Sequence, residues 1–552
     1  MESELDRKTN MTTENTPWWK TAVIYQIYPR SFKDTSGNGI GDIPGIIEKI
    51  PYLADTLGID AIWISPFYPS PMKDYGYDVS DYREIHPLFG EMGDFDRLLA
   101  ELHSRSIKLI IDLVPNHSSD QHAWFKESRS SRDNPKRDWY VWEDPKADGS
   151  PPNNWLSVFG GPAWELDSTT GQYYLHSFLK EQPDLNWRNP QVKEAMFNVV
   201  RYWLEKGVDG FRIDVAHFIM KDPDLRDNPL KGSTAPDIHR SLGEYDSQIH
   251  LYDKGHLDNH LVYRELRTLL DQYSQPWERV AIGEIHIFDW QEWATYYGKD
   301  LDELHLPYNF SLLAVDWDPK QVQRAVDQQE SILPRGAWPT YVLGNHDESR
   351  LASRLGPENT RLAAMLLLTL RGTPTIYYGE EIGMTDGQIP PDRELDPAGL
   401  RQPGWNQGRD ICRTPMQWAN LPFAGFSPPG TANTWLPINS RYPEINVENQ
   451  LADERSLLGL YRALLRTRKA RTELQLGEYQ ALADQPPDCF CFIREHKNTR
   501  TLISLNFSHE PRTFQSDLLN NGSILLSSHQ DREGPVRRTL ELRPLEGCIV
   551  VL

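Results

Sequence analysis

Three acidic residues, Asp214, Glu284 and Asp347, each follow a short apolar segment that is typical of a buried strand. In a barrel of parallel strands the carboxyl ends of the strands hold the reacting groups, so the three carboxylates would meet at one face. Convergent acids without a strong metal-binding pattern favour proton transfer and glycosyl chemistry. In that chemistry one acid protonates the departing oxygen while a second carboxylate attacks the anomeric carbon, and about 5 Å between them would retain the configuration.

Donor side chains accompany these acids. Arg212, His117 and His346 also stand at strand ends, where they are suited to binding sugar hydroxyls and to keeping Asp214 ionised. Structural interpretations exist for each residue. Asp214 could cap a helix or pair with Arg212, while His117 could cap a loop. His346 could be a buried core imidazole. Buried charge is rarely left unpaired, so this many polar residues at strand ends favours a functional site.

The elements that must position these residues form a repeating pattern. Continuous apolar segments alternate with segments of helical periodicity, which favours a parallel sheet that is either doubly wound or closed into a barrel. The pattern predicts eight strands, and the sixth is weak. The segments are residues 22–27, 61–66, 108–114, 207–217, 279–284, 304–310, 340–347 and 374–381.

Two other units interrupt or follow this pattern. Residues 119–186 are rich in Trp, Pro, Gly, Asn and Asp, and we interpret them as a small inserted domain over the strand ends. Short alternating segments such as 501–507 predict a separate β domain. The predicted fold is therefore α/β, a (β/α)8 TIM barrel with an insertion after strand 3 and a C-terminal antiparallel β domain. The predicted boundaries are a disordered leader at 1–16, the barrel at 17–116 and 187–473, the inserted domain at 117–186 and a C-terminal β-sandwich at 474–552.

A loop with regularly spaced oxygen-bearing residues follows the first strand. Oxygen donors alternate with glycines over residues 34–42, which is the rhythm of a loop that wraps a hard cation. A turn stabilised by Asx hydrogen bonds explains the same pattern equally well. The candidate ligands are Asp34, Ser36, Asn38, Ile40 and Asp42.

Composition limits the partners and the compartment. The 58 Lys and Arg against 79 Asp and Glu give a net charge of −21, which repels nucleic acid and anionic lipid. The four cysteines contain no CxxC pair, so neither a disulfide scaffold nor a zinc site is expected. The first sixteen residues contain no apolar signal region, and no later segment has the length of a membrane span. We expect a soluble, cytoplasmic protein, monomeric or homodimeric, that binds neither nucleic acid nor membrane.

Four motifs in a fixed order resemble a known family. The segments 112–117 (DLVPNH), 210–214 (GFRID), 283–284 (GE) and 345–347 (NHD) are similar to the four signature regions of the α-amylase superfamily of glycoside hydrolases, family 13. The resemblance extends over residues 18–552. It implies that Asp214 is the nucleophile, Glu284 the general acid/base and Asp347 a carboxylate that binds ring hydroxyls and stabilises the transition state. It also implies a glucose pocket that contains Tyr77, His117, Arg212 and His346.

Two further segments resemble one branch of that family. Residues 182–186 (QPDLN) and 413–418 (RTPMQW) are similar to the oligo-1,6-glucosidase and α-glucosidase branch. In this branch an Asp matching Asp74 and an Arg matching Arg413 close the pocket around the terminal glucose, which makes the enzyme exo-acting. Phe178 matches an aromatic wall of that pocket.

Val215 directly follows the implied nucleophile. It resembles enzymes that favour α-1,6 bonds, whereas those that favour α-1,4 bonds more often carry Thr there. An apolar branched side chain removes a hydroxyl beside the leaving sugar, which gives the bias a physical reason.

The resemblance also covers the cation loop. Residues 34–42 match the family's calcium loop, with Ser36 and Asn38 where Asn and Asp are usual. This implies a structural Ca²⁺ or Mg²⁺ remote from the acids, and no cofactor for catalysis.

The implied function is a retaining exo-α-glucosidase that releases glucose from short oligosaccharides or disaccharides and transfers it to acceptors. The alternatives are a glucosyl-transferring or isomerising relative, such as a trehalose synthase or a sucrose isomerase, and a non-catalytic amylase-like scaffold. The sequence has no Arg-Leu-Asp-Arg-Asp segment of the sucrose-isomerase kind. It keeps all three acids and has no membrane span, which weighs against the scaffold.

Overall fold

Strands and helices alternate along most of the computed structural model, which describes residues 16–232, 242–405 and 407–552. The leader predicted for residues 1–16 lies outside the described residues except for Thr16. The α-helices are α1 Trp18–Thr21, α2 Pro29–Phe32, α3 Ile43–Pro51, α4 Met92–Ser104, α5 Ala123–Ser130, α6 Pro190–Lys206, α7 Asn259–Gln272, α8 Trp290–Thr295, α9 Ser311–Ala314, α10 Pro319–Ile332, α11 Leu351–Leu355, α12 Thr360–Thr369, α13 Pro397–Arg401, α14 Val447–Leu451, α15 Leu457–Ala470 and α16 Thr472–Leu476.

The strands fall into groups along the chain. They are β1 Ile24–Ile27, β2 Ala61–Ile64, β3 Lys108–Leu113, β4 Trp142–Glu143, β5 Trp164–Asp167, β6 Gln172–Leu175, β7 Gly210–Ile213, β8 Val280–Glu284, β9 Leu306–Tyr308, β10 Thr340–Val342, β11 Thr373–Tyr377, β12 Glu478–Ala481, β13 Cys489–His496, β14 Thr499–Asn506, β15 Arg512–Gln515, β16 Ser523–Ser527, β17 Gly534–Pro535, β18 Thr539–Leu542 and β19 Gly547–Val551.

An eight-stranded parallel sheet forms the barrel. Its strand order is β10-β11-β1-β2-β3-β7-β8-β9, and every hydrogen-bonded pair in that order is parallel. The barrel is therefore closed except at the seam between β9 and β10, which no ladder joins within the described residues. The predicted (β/α)8 barrel is confirmed, including the weak sixth strand.

Alternation along the strands divides their side chains into two layers. Ile24, Trp63, Ile110 and Ile282 belong to one buried cluster inside the barrel, whereas their sequence neighbours pack outward against the helices. Both faces are buried, which explains why the strands are continuously apolar in sequence. Because side chains alternate with a period of two, the residue two positions after each inward residue also points inward, toward the carboxyl end of the barrel.

The two caps of α6 determine where the helix starts and stops before β7. Asn189 accepts a hydrogen bond from Gln191 N and Pro190 occupies the first turn of α6. The helix ends at Gly207, whose φ of 105° lies in the left-handed region that favours glycine. β7 follows three residues later, with Arg212 on its inward face.

The segment between β3 and β7 forms its own sheet. Strands β4, β6 and β5 are antiparallel in that order, and α5 precedes them. The sequence did not predict α5, because eight residues show too few turns of helical periodicity. An isolated bridge from His117 to Asp184 ties the end of the segment back to the residues that follow β3, and a second bridge, from Tyr140 to Leu185, lies within the segment.

Antiparallel strands follow the barrel at the C-terminal end, as predicted. One sheet has the order β12-β13-β14-β19-β16-β17, and β15 pairs with β18 in a second. A shared apolar cluster that includes Cys491, Phe514 and Leu540 lies between them. The boundaries given above for the inserted and C-terminal domains stay predictions. No helix among the described residues has the length and apolar content that a membrane crossing requires.

Candidate active site

A single guanidinium connects the acids at the strand ends. Arg212 Nη1 donates to Asp112 Oδ1 and to Asp214 Oδ1, both at 2.8 Å. Its Nη2 donates to Glu284 Oε2 at 2.5 Å. All four side chains are buried, and the guanidinium lies over the Trp63 ring, 5.0 Å from its centroid. The structure thus holds the expected nucleophile and the expected acid at two ends of one cation.

The strand register produces this cluster. Asp112 lies opposite Arg212 across the β3–β7 ladder, and Arg212 lies opposite Ile282 on β8. Glu284 is two residues after Ile282, on the same inward face. The polar residues therefore occupy the layer directly above the apolar interior of the barrel.

His346 and Asp347 follow β10 and enter the same site. Gln26 Nε2 lies 2.8 Å from His346 Nδ1, and the amide nitrogen is a donor, so Nδ1 accepts and Nε2 carries the ring hydrogen. His346 Nε2 lies 2.7 Å from Tyr77 Oη and 3.2 Å from Asp347 Oδ2. The Tyr77 hydroxyl donates to Asp112 Oδ2 at 3.2 Å. Burial lowers the pKa of His346 to about 3, so the ring is neutral at physiological pH.

An ion-pair network closes the far end of the site. Arg409 Nη2 lies 2.9 Å from Asp74 Oδ1 and 2.6 Å from Asp396 Oδ1. Its Nη1 lies 3.1 Å from Asp347 Oδ1. Gln182, from the inserted segment, donates to the other oxygen of Asp74 at 3.1 Å. Burial raises the pKa of Asp74 to about 6 although Arg409 opposes the increase.

The arginine that pairs with Asp74 is Arg409, which the sequence analysis did not single out, and the expected role of Arg413 in binding the terminal glucose stays a prediction. Arg413 lies behind the pocket wall, where Nε donates to the His346 carbonyl at 2.7 Å and Nη2 donates to Asp347 Oδ1 at 2.9 Å. Residues 410–412 form one turn of 3₁₀ helix that separates the two arginines. The spacing of four residues allows either arginine to face the pocket, so the sequence alone did not distinguish them.

His117 and Phe178 form the opposite wall. Their ring centroids are 5.2 Å apart, and both side chains are buried. Burial lowers the pKa of His117 to about 4, so it is a neutral hydrogen-bonding group.

An anchor that the sequence did not single out holds this wall in place. Lys221 Nζ lies 2.6 Å from Asp184 Oδ2 and donates to Asn116 Oδ1 at 2.7 Å. Ser177 Oγ donates to the same Asp184 oxygen at 2.5 Å. The buried carboxylate of the 182–186 segment was the available signal, but its lysine partner lies elsewhere in sequence.

The acids line one cavity of about 270 Å³. One end is polar and contains Asp74, Tyr77, His117, Asp347 and Arg409. Beyond Asp214 and Glu284 the wall becomes mainly apolar. The wall residues that the sequence did not predict come mostly from loops, and they include Val158, Phe159, Phe218, Leu242, Tyr245, Asp246, His250, Lys254, His286, Phe288, Phe310, Leu313, Glu348, Ala398, Gln402 and Gln407.

Val215 has an unusual backbone. Its φ of 36° lies in the left-handed region, which is costly for a β-branched residue. In this conformation its N–H donates to Glu284 Oε2 at 3.1 Å. The strained turn thus connects the residue after Asp214 to the second acid.

The two reacting carboxyls differ in their environments. Burial raises the pKa of Asp214 well above its usual range, and Glu284 and Asp112 add to the increase against Arg212. Burial also acts to raise the pKa of Glu284, but Arg212 and His286 outweigh it and lower the pKa to about 2. The surroundings in the free protein thus disfavour the charge of Asp214 and favour that of Glu284.

The first half of the 34–42 loop folds around Asp34. Its Oδ1 accepts hydrogen bonds from Gly37 N at 2.8 Å and Ser36 Oγ at 3.1 Å, and its Oδ2 accepts from Gly39 N at 2.9 Å. The carboxylate is buried.

The second half of the loop is organised by Asp42, which caps α3. Asp42 Oδ1 accepts from Gly45 N at 2.7 Å, and Oδ2 accepts from Thr35 N at 3.0 Å. Asn38 Oδ1 accepts from Ile40 N at 2.8 Å. The described residues contain no group of three or more His, Cys, Asp or Glu that could hold a metal. The donor set of the loop is all oxygen, which suits a hard cation, but only two of the donors are carboxylates.

Comparison with known proteins agrees with this geometry. Residues 26–477 match the family model of the α-amylase catalytic domain. A probable α-glucosidase of Rhizobium meliloti (strain 1021) is 43% identical over 96% of this chain and 93% of its own length. An oligo-1,6-glucosidase of Heyndrickxia coagulans is 39% identical over 97% of this chain and 100% of its own length. The crystal structure of the α-glucosyl transfer enzyme XgtA superposes with a TM-score of 0.91, at 40% identity, over 97% of this chain and 100% of that structure.

The barrel and its acids define a glycoside hydrolase. The chain belongs to the α-amylase family.

Arg409 provides a test of the closed end. We expect Arg409→Met to lower the free energy of unfolding by about 3–5 kcal/mol, because it leaves buried carboxylates without their cation. Arg105→Met is the control, since the ion pair of Arg105 in the described part of the chain is with Asp55 at the surface, and its loss is expected to cost about 0–1 kcal/mol. Urea unfolding at neutral pH measures both variants. Equal losses would contradict a stabilising role for the Arg409 network.

Proposed function

We propose that this protein is a retaining, exo-acting α-glucosidase that releases glucose from the non-reducing end of short α-glucosides. The observation that carries the proposal is the pair formed by Asp214 and Glu284, which bind the two ends of the Arg212 guanidinium and line one cavity. Two carboxylates at one buried centre are what a double displacement at an anomeric carbon requires.

The exo action follows from the closed end of the cavity. Arg409 bridges Asp74 and Asp347, and Phe159 lies against the guanidinium at 5.1 Å. A chain that continued past the terminal sugar would have to displace these ion pairs, so only the end of a substrate fits. Asp74, His117 and Asp347 would bind the hydroxyls of that terminal glucose.

The reaction needs Asp214 ionised and Glu284 protonated, although the surroundings in the free protein favour the opposite distribution of charge. The Glu284 carboxyl keeps Oε2 on Arg212 and on the Val215 N–H, and its Oε1 would face the glycosidic oxygen of a bound substrate. Arg212 also bonds to Asp214, so it stabilises the Asp214 carboxylate when the shared proton moves to Glu284 Oε1.

The two steps are balanced in protons. Asp214 Oδ forms a bond to the anomeric carbon as the glycosidic C–O bond breaks, and Glu284 gives its proton to the departing oxygen. Glu284 then takes a proton from an incoming hydroxyl, which attacks the anomeric carbon and releases Asp214. Asp347 would stabilise the positive charge that develops on the ring in both steps.

Substitution of the two acids separates their roles. Asp214→Asn is expected to reduce turnover of an aryl α-glucoside by on the order of 10⁴-fold while the fold stays intact, because no nucleophile remains. Glu284→Gln is expected to lose about 10²–10⁴-fold on poor leaving groups and much less on activated ones, since only poor ones need protonation. Steady-state kinetics with matched aryl and disaccharide substrates measure this. If Glu284→Gln lost the same factor of activity on the aryl substrate and on the disaccharide, Glu284 would not be the general acid.

Linkage and transfer depend on the apolar half of the cavity. We propose a preference for α-1,6 bonds, because Val215 offers the leaving sugar no hydroxyl. We also propose transfer of glucose to acceptors as a second activity, supported by the similarity to a glucosyl transfer enzyme. Apolar walls at Phe218, Phe310 and Leu313 favour organic acceptors over water.

A panel of maltose, isomaltose, sucrose and trehalose tests these choices. We expect a higher kcat/KM for isomaltose than for maltose, and glucosyl-oligosaccharide products at high substrate concentration. Product analysis by chromatography measures both. Conversion of maltose or sucrose mainly into an isomeric disaccharide would instead identify an isomerising enzyme.

We propose the 34–42 loop as a weak structural site for Ca²⁺ or Mg²⁺, in which Asp34, Asn38 and Asp42 would be the main ligands. Such an ion would stabilise the loop before α3 and take no part in catalysis. With only two carboxylates, its dissociation constant is expected to be on the order of 10⁻⁴–10⁻³ M.

Thermal unfolding tests the cation site. Millimolar Ca²⁺ is expected to raise Tm relative to a chelator, because the ion binds only the folded loop. Asn38→Asp adds a third carboxylate and is expected to enlarge the shift. Identical Tm values with Ca²⁺ and with chelator in both proteins would contradict the site.

The expected compartment is the cytoplasm. All four cysteines, Cys412, Cys489, Cys491 and Cys548, are free thiols, which is usual in a reducing environment. The monomeric or homodimeric state stays a prediction.

A further inference from the structure

His286 is a polar residue of the cavity wall that neither the sequence motifs nor the reaction above uses. Its Nε2 lies 2.9 Å from Glu284 Oε1. Its ring stacks on Phe310, with centroids 4.3 Å apart and planes 14° from parallel. The side chain is 40% exposed, so it faces both the acid and the solvent of the cavity.

The two oxygens of Glu284 are not equivalent. Oε2 accepts from Arg212 Nη2 and from the Val215 N–H, and both of these groups are permanent donors. A proton on Oε2 would face two hydrogens, so the proton of the neutral acid belongs on Oε1. Oε1 is the oxygen that His286 contacts, which places His286 at the atom that gives and receives the proton.

The other groups around His286 leave its hydrogen bond directed at Glu284. The His217 ring lies 6.1 Å away, and burial, with Lys254 and His286, lowers the pKa of His217 well below its usual range. Lys254 lies over the Phe218 ring at 5.4 Å. The Lys254 ammonium is not an acceptor, and His217 Nδ1 is directed at the Glu284 carbonyl at 3.4 Å. The hydrogen bond that the structure shows for His286 Nε2 is the one to Glu284 Oε1.

We propose that His286 is the positioning residue of the general acid/base: its Nε2–H holds Glu284 Oε1 at the reacting centre and favours the ionised, base form of that carboxyl. The inference rests on the proposed function and assigns a determinant of its pH range. The hydrogen bond stabilises the base that accepts the proton of the incoming hydroxyl. For the same reason the hydrogen bond opposes protonation of Glu284, so it lowers the pH above which the first step slows.

The Phe310 stack explains how a half-exposed ring is held in place. Phe310 follows β9 and Glu284 ends β8, and Glu284 lies opposite Tyr308 in the ladder between these strands. The imidazole is therefore fixed from a neighbouring strand, and few of its rotamers satisfy both the stack and the hydrogen bond.

Two variants separate hydrogen bonding from packing. His286→Phe keeps an aromatic ring against Phe310 but removes the donor. His286→Gln keeps an N–H at a similar reach and does not titrate. Thermal unfolding of both variants is measured first, to show that each is folded.

The alkaline limb of kcat/KM on a disaccharide is the deciding measurement. We expect His286→Phe to move this limb upward by about one pH unit, which corresponds to one charge-assisted hydrogen bond to Glu284. We also expect kcat on an activated aryl α-glucoside to fall by about tenfold, because its second step depends on the base form. His286→Gln should keep the limb within a few tenths of a unit of the wild type.

Two results would overturn the inference. One is an unmoved limb in His286→Phe, and the other is an equal shift in both variants, which would show that the N–H retained by Gln makes no difference. Failure of the proposed function would look different, because the wild-type protein would then not turn over α-glucosides. In that case this inference would fail as well.

Discussion

One cation serves three buried carboxylates at the centre of this structure. Arg212 bonds to Asp112, Asp214 and Glu284, so its charge compensates only part of theirs. A buried cluster of this composition must retain a proton. Which carboxyl holds that proton depends on the burial of each one and on the donors around it, and small side-chain movements can therefore change the chemical state of the site.

The rest of the barrel maintains this shortage of positive charge. Gln26, Tyr77 and His346 form a neutral chain of hydrogen bonds that ends on Asp112 and adds no charge. The second arginine of the cavity, Arg409, is engaged at the closed end by Asp74, Asp347 and Asp396. The two guanidiniums thus bind different carboxylates, Arg212 those at the strand ends and Arg409 those at the closed end of the cavity.

Much of the fold could be predicted because its strands are buried on both faces. Continuous apolar segments and the acids at their ends led to the barrel and to Asp214, Glu284 and Asp347 as neighbours. The loop residues could not be found in the same way. Arg409 and Arg413 are four positions apart in an irregular segment, and only the turn between them decides which one faces Asp74.

The same limit applies to the wall beyond the acids. Lys221 and His286 act through partners whose contacts depend on the tertiary structure, and neither belongs to a local pattern. His286 is two residues after Glu284, yet alternation alone says only that both side chains point to the same side. The position of its ring depends on Phe310, which follows the neighbouring strand β9 and which no periodicity connects to His286.

The seam between β9 and β10 is the side of the barrel where the cavity can change its width most easily. Phe310 and Leu313 follow the first of these strands and Asp347 follows the second, and no backbone ladder within the described residues couples them. A lateral displacement there would widen the apolar half of the cavity without breaking a hydrogen bond of the sheet, while the ion pairs of Arg409 would hold the closed end. Substitutions along this line can therefore change the width of the cavity at little cost to folding.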